Sequence, residues 1–135
     1  MKIAVDTNIL FRFFWKGSFT RNLLTSKRFD LISPKVSLKE IKKYSKDIIE
    51  KTRITQSKFN EYYNDLKKFV KFTDEREYLD FLKEATEISP DKADSHFLAL
   101  CLKNKCLLWS KDSLLKKQNK ITVLSTEEIV ELLSS

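Results

Sequence analysis

Hydrophobic positions along the chain switch repeatedly between two periods. Residues 2–5 are a short β-branched apolar run ending on Asp6, the pattern of a strand. Residues 7–16 follow with Ile9, Leu10, Phe13 and Phe14 at helical spacing. A second strand is predicted over 29–32, stopped by Ser33-Pro34. Residues 37–51 put Leu38, Ile41, Tyr44, Ile48 and Ile49 on one helical face, and residues 55–69 do the same with Phe59, Tyr62, Tyr63, Leu66 and Phe69. Residues 70–72 give a very short strand and 75–87 a helix. Ser89-Pro90 then restarts the chain, since serine caps and proline suits the first helical position. The next helix, 91–103, carries the run 97–102, apolar on all sides, and belongs at the centre. A strand over 106–109, a short helix over 113–117, a strand over 121–124 and a helix over 126–133 complete the chain. Strands alternating with helices imply a mainly parallel sheet covered on both faces, an α/β three-layer α/β/α sandwich.

Composition narrows the picture. The 135 residues suit one domain, and no linker, repeat or low-complexity stretch divides them, so 1–135 reads as a single domain. With 41% hydrophobic and 33% charged residues the chain has the balance of a folded protein rather than a disordered one. The run 97–102 falls far short of the ~20 apolar residues that span a bilayer. Asp6 interrupts any signal-peptide core, which points to a cytoplasmic protein with no membrane partner. Cys101 and Cys106 have no CxxC spacing and read as reduced, mostly buried thiols. Gly17 is the only glycine, so a phosphate-cradling loop and a dinucleotide-binding turn are both excluded. The net charge of +7 leans toward a polyanionic partner, although such a charge also serves solubility.

In sheets of this kind ligands bind beyond the carboxyl ends of the strands. Asp6, Glu40, Asp94 and Asp112 all sit just after strands or at helix starts. Each also has a plain structural role. Asp6 can cap the following helix, although Thr7-Asn8 would serve as well. Glu40 completes a capping box over Ser37-Leu38-Lys39-Glu40. Asp91 complements a helix dipole, and Asp112 can cap the helix at Ser113. Asp94 lies one turn before Leu98 in a helix read as buried, where an unpaired carboxylate is costly. Four acids at one sheet edge of a basic protein repel one another unless a cation neutralises them. Hard oxygen donors with a single histidine suit Mg²⁺ or Mn²⁺ rather than zinc. A cation so held, with open positions, binds a phosphate oxygen and activates water, the apparatus of phosphodiester hydrolysis.

The segments Ala4-Val5-Asp6-Thr7-Asn8-Ile9-Leu10, Glu40 early in its helix, Asp91-Lys92-Ala93-Asp94-Ser95-His96-Phe97-Leu98 and Leu108-Trp109-Ser110-Lys111-Asp112 resemble, in order and spacing, the PIN-domain nucleases. The closing Ile121-Thr122-Val123-Leu124-Ser125-Thr126-Glu127-Glu128 resembles that family's last strand and helix. The resemblance covers essentially the whole chain. It implies a divalent-metal-dependent endoribonuclease, often the toxin of a toxin–antitoxin pair and a homodimer. It matches Asp6, Glu40, Asp94 and Asp112 to acidic catalytic positions, with Asp6, Asp94 and Asp112 holding the metal. Asn8 and Ser110 match polar positions that support the site, and Asp91 a position that is acidic in some members only. Lys111 stands beside Asp112, where it can screen charge or touch phosphate.

Lysines rim these acids: Lys39, Lys42, Lys43 and Lys46 share a helix with Glu40, Arg12 follows Asp6, and Lys111 precedes Asp112. Arg12, Lys39, Lys43 and Lys111 are the candidates for RNA backbone contact, against the alternative of a solvated basic face. His96 lies about 200° around the helix from Asp94 and faces away from it. Without its base, nucleophilic catalysis by serine or cysteine has no support. Phe13 and Phe14 belong to the core, while Phe11 or Trp15 suit a dimer interface. Two other functions remain open: a catalytically silent RNA-binding or scaffold module, and a phosphatase using Asp6 as nucleophile. The phosphatase is disfavoured because Asp6-Thr7-Asn8 lacks the second aspartate that supplies the general acid.

Overall fold

The computed structural model describes residues 1–134. Strands β1 (Lys2–Val5), β2 (Asp30–Pro34), β3 (Val70–Thr73), β4 (Leu107–Trp109) and β5 (Val123–Leu124) form one sheet in the order β3-β2-β1-β4-β5, all pairs parallel. Parallel neighbours need long crossovers, and helices supply them. These are α1 (Thr7–Leu10), α2 (Phe19–Thr25), α3 (Lys35–Lys43), α4 (Ser45–Thr52), α5 (Gln56–Phe69), α6 (Leu82–Ile88), α7 (Ser95–Asn104) and α8 (Thr126–Ser134).

Alternation along the strands sorts the buried residues into two cores. Ile3, Val5, Leu31 and Trp109 join one side with Phe13, Phe14, Ile41, Ile48, Phe59, Leu66 and Ile129, the face covered by α1 to α5 and α8. Ala4, Ile32, Leu108 and Val123 join the other with α7 and Ala85 of α6. The three-layer α/β/α sandwich is therefore the architecture observed. Residues Phe97 to Cys101 of α7 are all buried, as a helix with no polar face requires. Truncating one of them, Leu98→Ala, should cost about 2–5 kcal/mol of stability. At the end of α7, Lys105 takes a left-handed conformation and the Cys106 N–H reaches back to the Cys101 carbonyl at 3.2 Å. Both thiols are free; Cys101 is buried and Cys106 half-buried.

Several elements differ from the pattern-based reading, each for a local reason. The helix over 7–16 is α1 followed by a 3₁₀ turn, Phe11–Phe14. β2 continues through Ser33 and Pro34 because the Ser33 hydroxyl is not a strand breaker here: it donates to the Val5 carbonyl at 2.8 Å. The helix over 37–51 is α3 and α4, parted at Tyr44. α3 starts at Lys35, so Ser37 and Glu40 form no capping box; the Ser37 hydroxyl donates to the Pro34 carbonyl at 2.7 Å. α2 had no periodic signal. Ser18 caps it, accepting from the Arg21 N–H at 3.0 Å, and the Arg21 guanidinium lies 4.3 Å from the rings of both Phe13 and Tyr62. The segment 75–87 breaks into 3₁₀ turns Glu75–Glu77 and Leu79–Phe81 before α6, since Tyr78 turns inward to share a 2.7 Å hydrogen bond with His96 Nδ1. Ser89 closes α6 rather than opening the next helix, which begins as a 3₁₀ turn, Lys92–Asp94, capped by Asp91. Residues 113–117 are also 3₁₀, and the predicted strand over 121–124 is reduced to β5. Among the described residues no helix is long and apolar enough to cross a membrane.

Candidate active site

The chain runs from β1 outward to β2 and β3, then returns to β4 on the other side of β1. Connections therefore diverge between β1 and β4, and the crevice beyond their carboxyl ends is where such sheets bind ligands. Val5 pairs with Trp109, so the next residues, Asp6 and Ser110, emerge side by side. The Ser110 hydroxyl donates to Asp6 Oδ2 at 2.6 Å, across a separation of 104 residues. Asn8 Nδ2 donates to the same oxygen at 3.2 Å. Asp6 Oδ1 receives no side-chain hydrogen bond from any described residue. Asp6 occupies the cap position of α1 yet makes no side-chain cap. It is only 6% exposed, and burial pushes its carboxyl up; the Ser110 hydrogen bond opposes that shift without cancelling it.

Glu40 comes from α3, which the β2–β1 pairing sets beside the start of α1. Its Oε1 accepts from the buried Thr7 hydroxyl at 3.4 Å. Burial, and then the Asp6 charge, raise the Glu40 carboxyl, while Thr7 and nearby Lys43 hold it back. Beneath them, the Ser33 and Ser37 hydroxyl oxygens lie 3.0 Å apart, and their contacts with the Val5 and Pro34 carbonyls tie α3 to the end of β1.

Asp94 stands at the junction of the 3₁₀ turn with α7 rather than inside the helix, which leaves it half-buried. Its carboxylate accepts no hydrogen bond from any described residue. Burial, followed by the charges of Asp6, Asp112, Asp91 and Glu40, pushes it up to about 6. Asp94 is thus within electrostatic reach of the other four acids. Asp112 Oδ1 accepts from the Leu114 N–H at 3.0 Å, and the Asp112 N–H donates to Ser110 Oγ, also at 3.0 Å. Asp91 is exposed and caps its turn through the Ala93 N–H at 3.0 Å.

These residues supply hard oxygen donors. Beside Asp6, Asn8 Oδ1 is buried and lacks a hydrogen-bond partner among the described residues, an orphan acceptor of the type a cation satisfies. The donor chemistry fits a dication. The arrangement is an open one, for no three His, Cys, Asp or Glu side chains among the described residues converge closely enough to enclose an ion.

Of the basic candidates, Arg12 and Lys111 line one cavity with Asn8. Lys43 acts on Glu40, and Lys39 is an exposed residue of α3. Thr7, Ser33 and Ser37 are the site-supporting residues that pattern reasoning passed over. A signal existed in each, a hydroxyl in an otherwise apolar strand end or helix start.

The PIN domain family model matches residues 4–133. No curated protein matches the chain. Among solved structures, the crystal structure of PAE2754 from Pyrobaculum aerophilum is similar at a TM-score of 0.72 and 13% identity, covering 100% of this chain and 91% of that one. VapBC2 from Rickettsia felis, bound to a DNA fragment from their promoter, is similar at a TM-score of 0.64 and 12% identity, covering 93% and 98%. At these identities the likeness bears on the fold. The family match takes in β2 to β5, the end of β1 and each of the acids above, and the chain belongs to the PIN domain family, whose members are in general nucleases.

Proposed function

We propose that residues 1–135 act as one divalent-metal-dependent endoribonuclease domain that hydrolyses RNA phosphodiester bonds. The observation that carries this reading is the buried Asp6 carboxylate at the β1/β4 switch point, tied by Ser110 and within electrostatic reach of Asp94, Asp112 and Glu40. Asp6, Asp94 and Asp112 would hold Mg²⁺ or Mn²⁺, with the orphan Asn8 oxygen beside them. Such a cation supplies positive charge against the phosphate oxygens and acidifies water. Ser110 and Asn8 fix the Asp6 carboxylate in one orientation. Glu40, whose carboxyl burial raises, would accept a proton from water at Oε2, the oxygen not engaged by Thr7. Arg12, Lys39, Lys43 and Lys111 would bind the RNA backbone, as phosphate contact by lysine and arginine positions a strand without reading its sequence. Asp91 stays at the margin as a turn cap.

The proposed setting is the cytoplasm, with the chain as the toxin of a toxin–antitoxin pair and a homodimer. A cavity of about 260 Å³ lined by Phe11, Trp15, Tyr44 and Ile48 supports an interface on the α4 side. The test is incubation of the purified protein with labelled single-stranded RNA and Mn²⁺ or Mg²⁺, beside EDTA and Asp94→Asn controls. Cutting that both controls lose supports the assignment. RNA binding without cutting would favour the silent module, and neither binding nor cutting would revive the phosphatase.

A further inference from the structure

Beside the acidic centre lies a second concavity of about 380 Å³, whose lining includes Asn8, Arg12, Phe19, Thr20, Lys111 and Glu127. Asn8 belongs to both, so the cavity opens next to Asp6. Its volume is at the low end of the range, about 300–1,000 Å³, that small-ligand pockets span.

Phe19 is the unexplained residue here. It is 61% exposed, the most exposed aromatic side chain among the described residues, although α2 buries Leu24 against the core. Its position is nonetheless fixed. Gly17, at φ +78°, reverses the chain after Trp15, a backbone conformation that glycine adopts without strain. Ser18 then donates to the Arg12 carbonyl at 3.0 Å while capping α2, which locks the start of α2 to the turn carrying Arg12. Arg21, held between Phe13 and Tyr62, anchors the same helix. A rigid mount thus presents an aromatic ring to solvent, at the rim of a cavity that also carries two cations. Neither Arg12 nor Lys111 forms an ion pair with any described residue.

We propose that this cavity is a nucleotide subsite that takes one unpaired residue of the substrate RNA next to the scissile phosphate, with its base stacked on Phe19 and its phosphate met by Arg12 and Lys111. The proposal rests on the ribonuclease reading above. An aromatic face tolerates any base, while basic groups track the backbone, the combination that single-stranded nucleic acid requires. The exposed Glu127 carboxylate, an acceptor only, favours bases that present N–H donors toward it.

The experiment compares the wild-type chain with Phe19→Ala, Phe19→Tyr and Lys111→Ala. Binding of a fluorescent single-stranded RNA is measured in EDTA, and cleavage of the same RNA in Mn²⁺. Phe19→Ala should bind about tenfold more weakly and raise KM with little change in kcat, and Phe19→Tyr should restore both. Lys111→Ala should lower the slope of log affinity against log salt by about one. Wild-type cleavage with unchanged binding, KM and cut sites in Phe19→Ala would overturn the subsite and leave the nuclease standing. A Phe19→Ala effect confined to oligomeric state would overturn it as well. Loss of all binding and cutting in the wild type would remove both proposals together. Should Phe19→Ala fail to fold, Phe19→Leu, which keeps the apolar bulk and removes the aromatic face, decides the matter: wild-type binding and KM in that variant would overturn the subsite.

Discussion

Asp6 and Asp94 face the same crevice but are held by opposite means. Asp6 is almost fully buried, and its Oδ2 takes two side-chain hydrogen bonds. Asp94 is half-buried and accepts none; burial, and then the charges of the acids around it, raises its carboxyl. The difference follows from the elements that carry them. Asp6 leaves a central strand whose neighbour β4 delivers Ser110 alongside. Asp94 sits where a 3₁₀ turn becomes α7 and has no strand partner to supply a donor. One acid is therefore an anchor set by backbone pairing. The other is a charge whose state depends on its surroundings.

The sharpest way to break this contrast is to neutralise each acid in turn. Both Asp6→Asn and Asp94→Asn should lower RNA cleavage by about 10²-fold or more, as loss of an electrostatic group at a reacting phosphate does. Their stabilities should diverge. Asp6→Asn keeps one carbonyl oxygen for Ser110 and Asn8 but turns an NH₂ toward the Thr7 and Asn8 backbone N–H groups that face the carboxylate, a loss of about 1–3 kcal/mol on urea unfolding. Asp94→Asn leaves no donor stranded and should unfold at the same urea concentration as the wild type or a higher one in EDTA. Equal destabilisation by the two substitutions would show that the anchor and the free charge are not distinct.

A milder change attacks the anchor alone. Ser110→Ala removes the 2.6 Å donor on Asp6 and should cost about 10- to 100-fold in activity through misorientation of that carboxylate.

The strands and the acids that follow them were legible in the sequence because a parallel strand leaves an unmistakable mark: an apolar run closed by a polar residue at the site end, as in Lys2–Val5 before Asp6. α5 was legible because fourteen residues keep one face, Phe59, Tyr62 and Leu66 inward. The short pieces were not. Whether residues 75–87 form one helix depends on Tyr78 finding His96, eighteen residues away, and periodicity carries no information about that partner. α2 has only seven residues, with a single buried apolar side chain, so no repeat exists to detect. Within the site, the identity of the acids was readable and their company was not. The Ser110–Asp6 bond spans 104 residues, and the Thr7–Glu40 bond joins two elements that only the β1–β2 pairing brings together.

The charge on Asp94 should also show in the pH dependence of folding without metal. Its carboxyl is raised in the folded chain from an ordinary value of 3.8 to about 6. The protonated form is thus the one the fold prefers, and stability is present below the ordinary value and lost as pH rises through about 6. Because Asp94 is half exposed, solvent screening reduces the effect to about 1 kcal/mol between pH 4 and 7. Urea midpoints measured in EDTA across that range should fall for the wild type and flatten for Asp94→Asn. A slope that persists in the variant would assign the effect to the buried Asp6 or to Glu40, whose carboxyls burial also raises.

The smallest effect belongs to Asp91, and it bounds the centre. This acid contributes to the field at Asp94 yet is exposed, and its own carboxylate is committed to the Ala93 N–H at 3.0 Å. Asn preserves that cap and removes the charge, whereas Ala removes both. Asp91→Asn should therefore cleave RNA within about twofold of wild type, since a solvated charge at this distance is screened. Asp91→Ala should lose about 0.5–1 kcal/mol on unfolding from the missing cap, with activity again near wild type. A large loss of cleavage in Asp91→Asn, with its stability intact, would move Asp91 from the margin into the set of acids proposed to hold the cation. The division would then no longer lie between Asp6 and the rest. It would separate the hydrogen-bonded strand side of the crevice from a helix side that carries two acids, Asp91 and Asp94, instead of one.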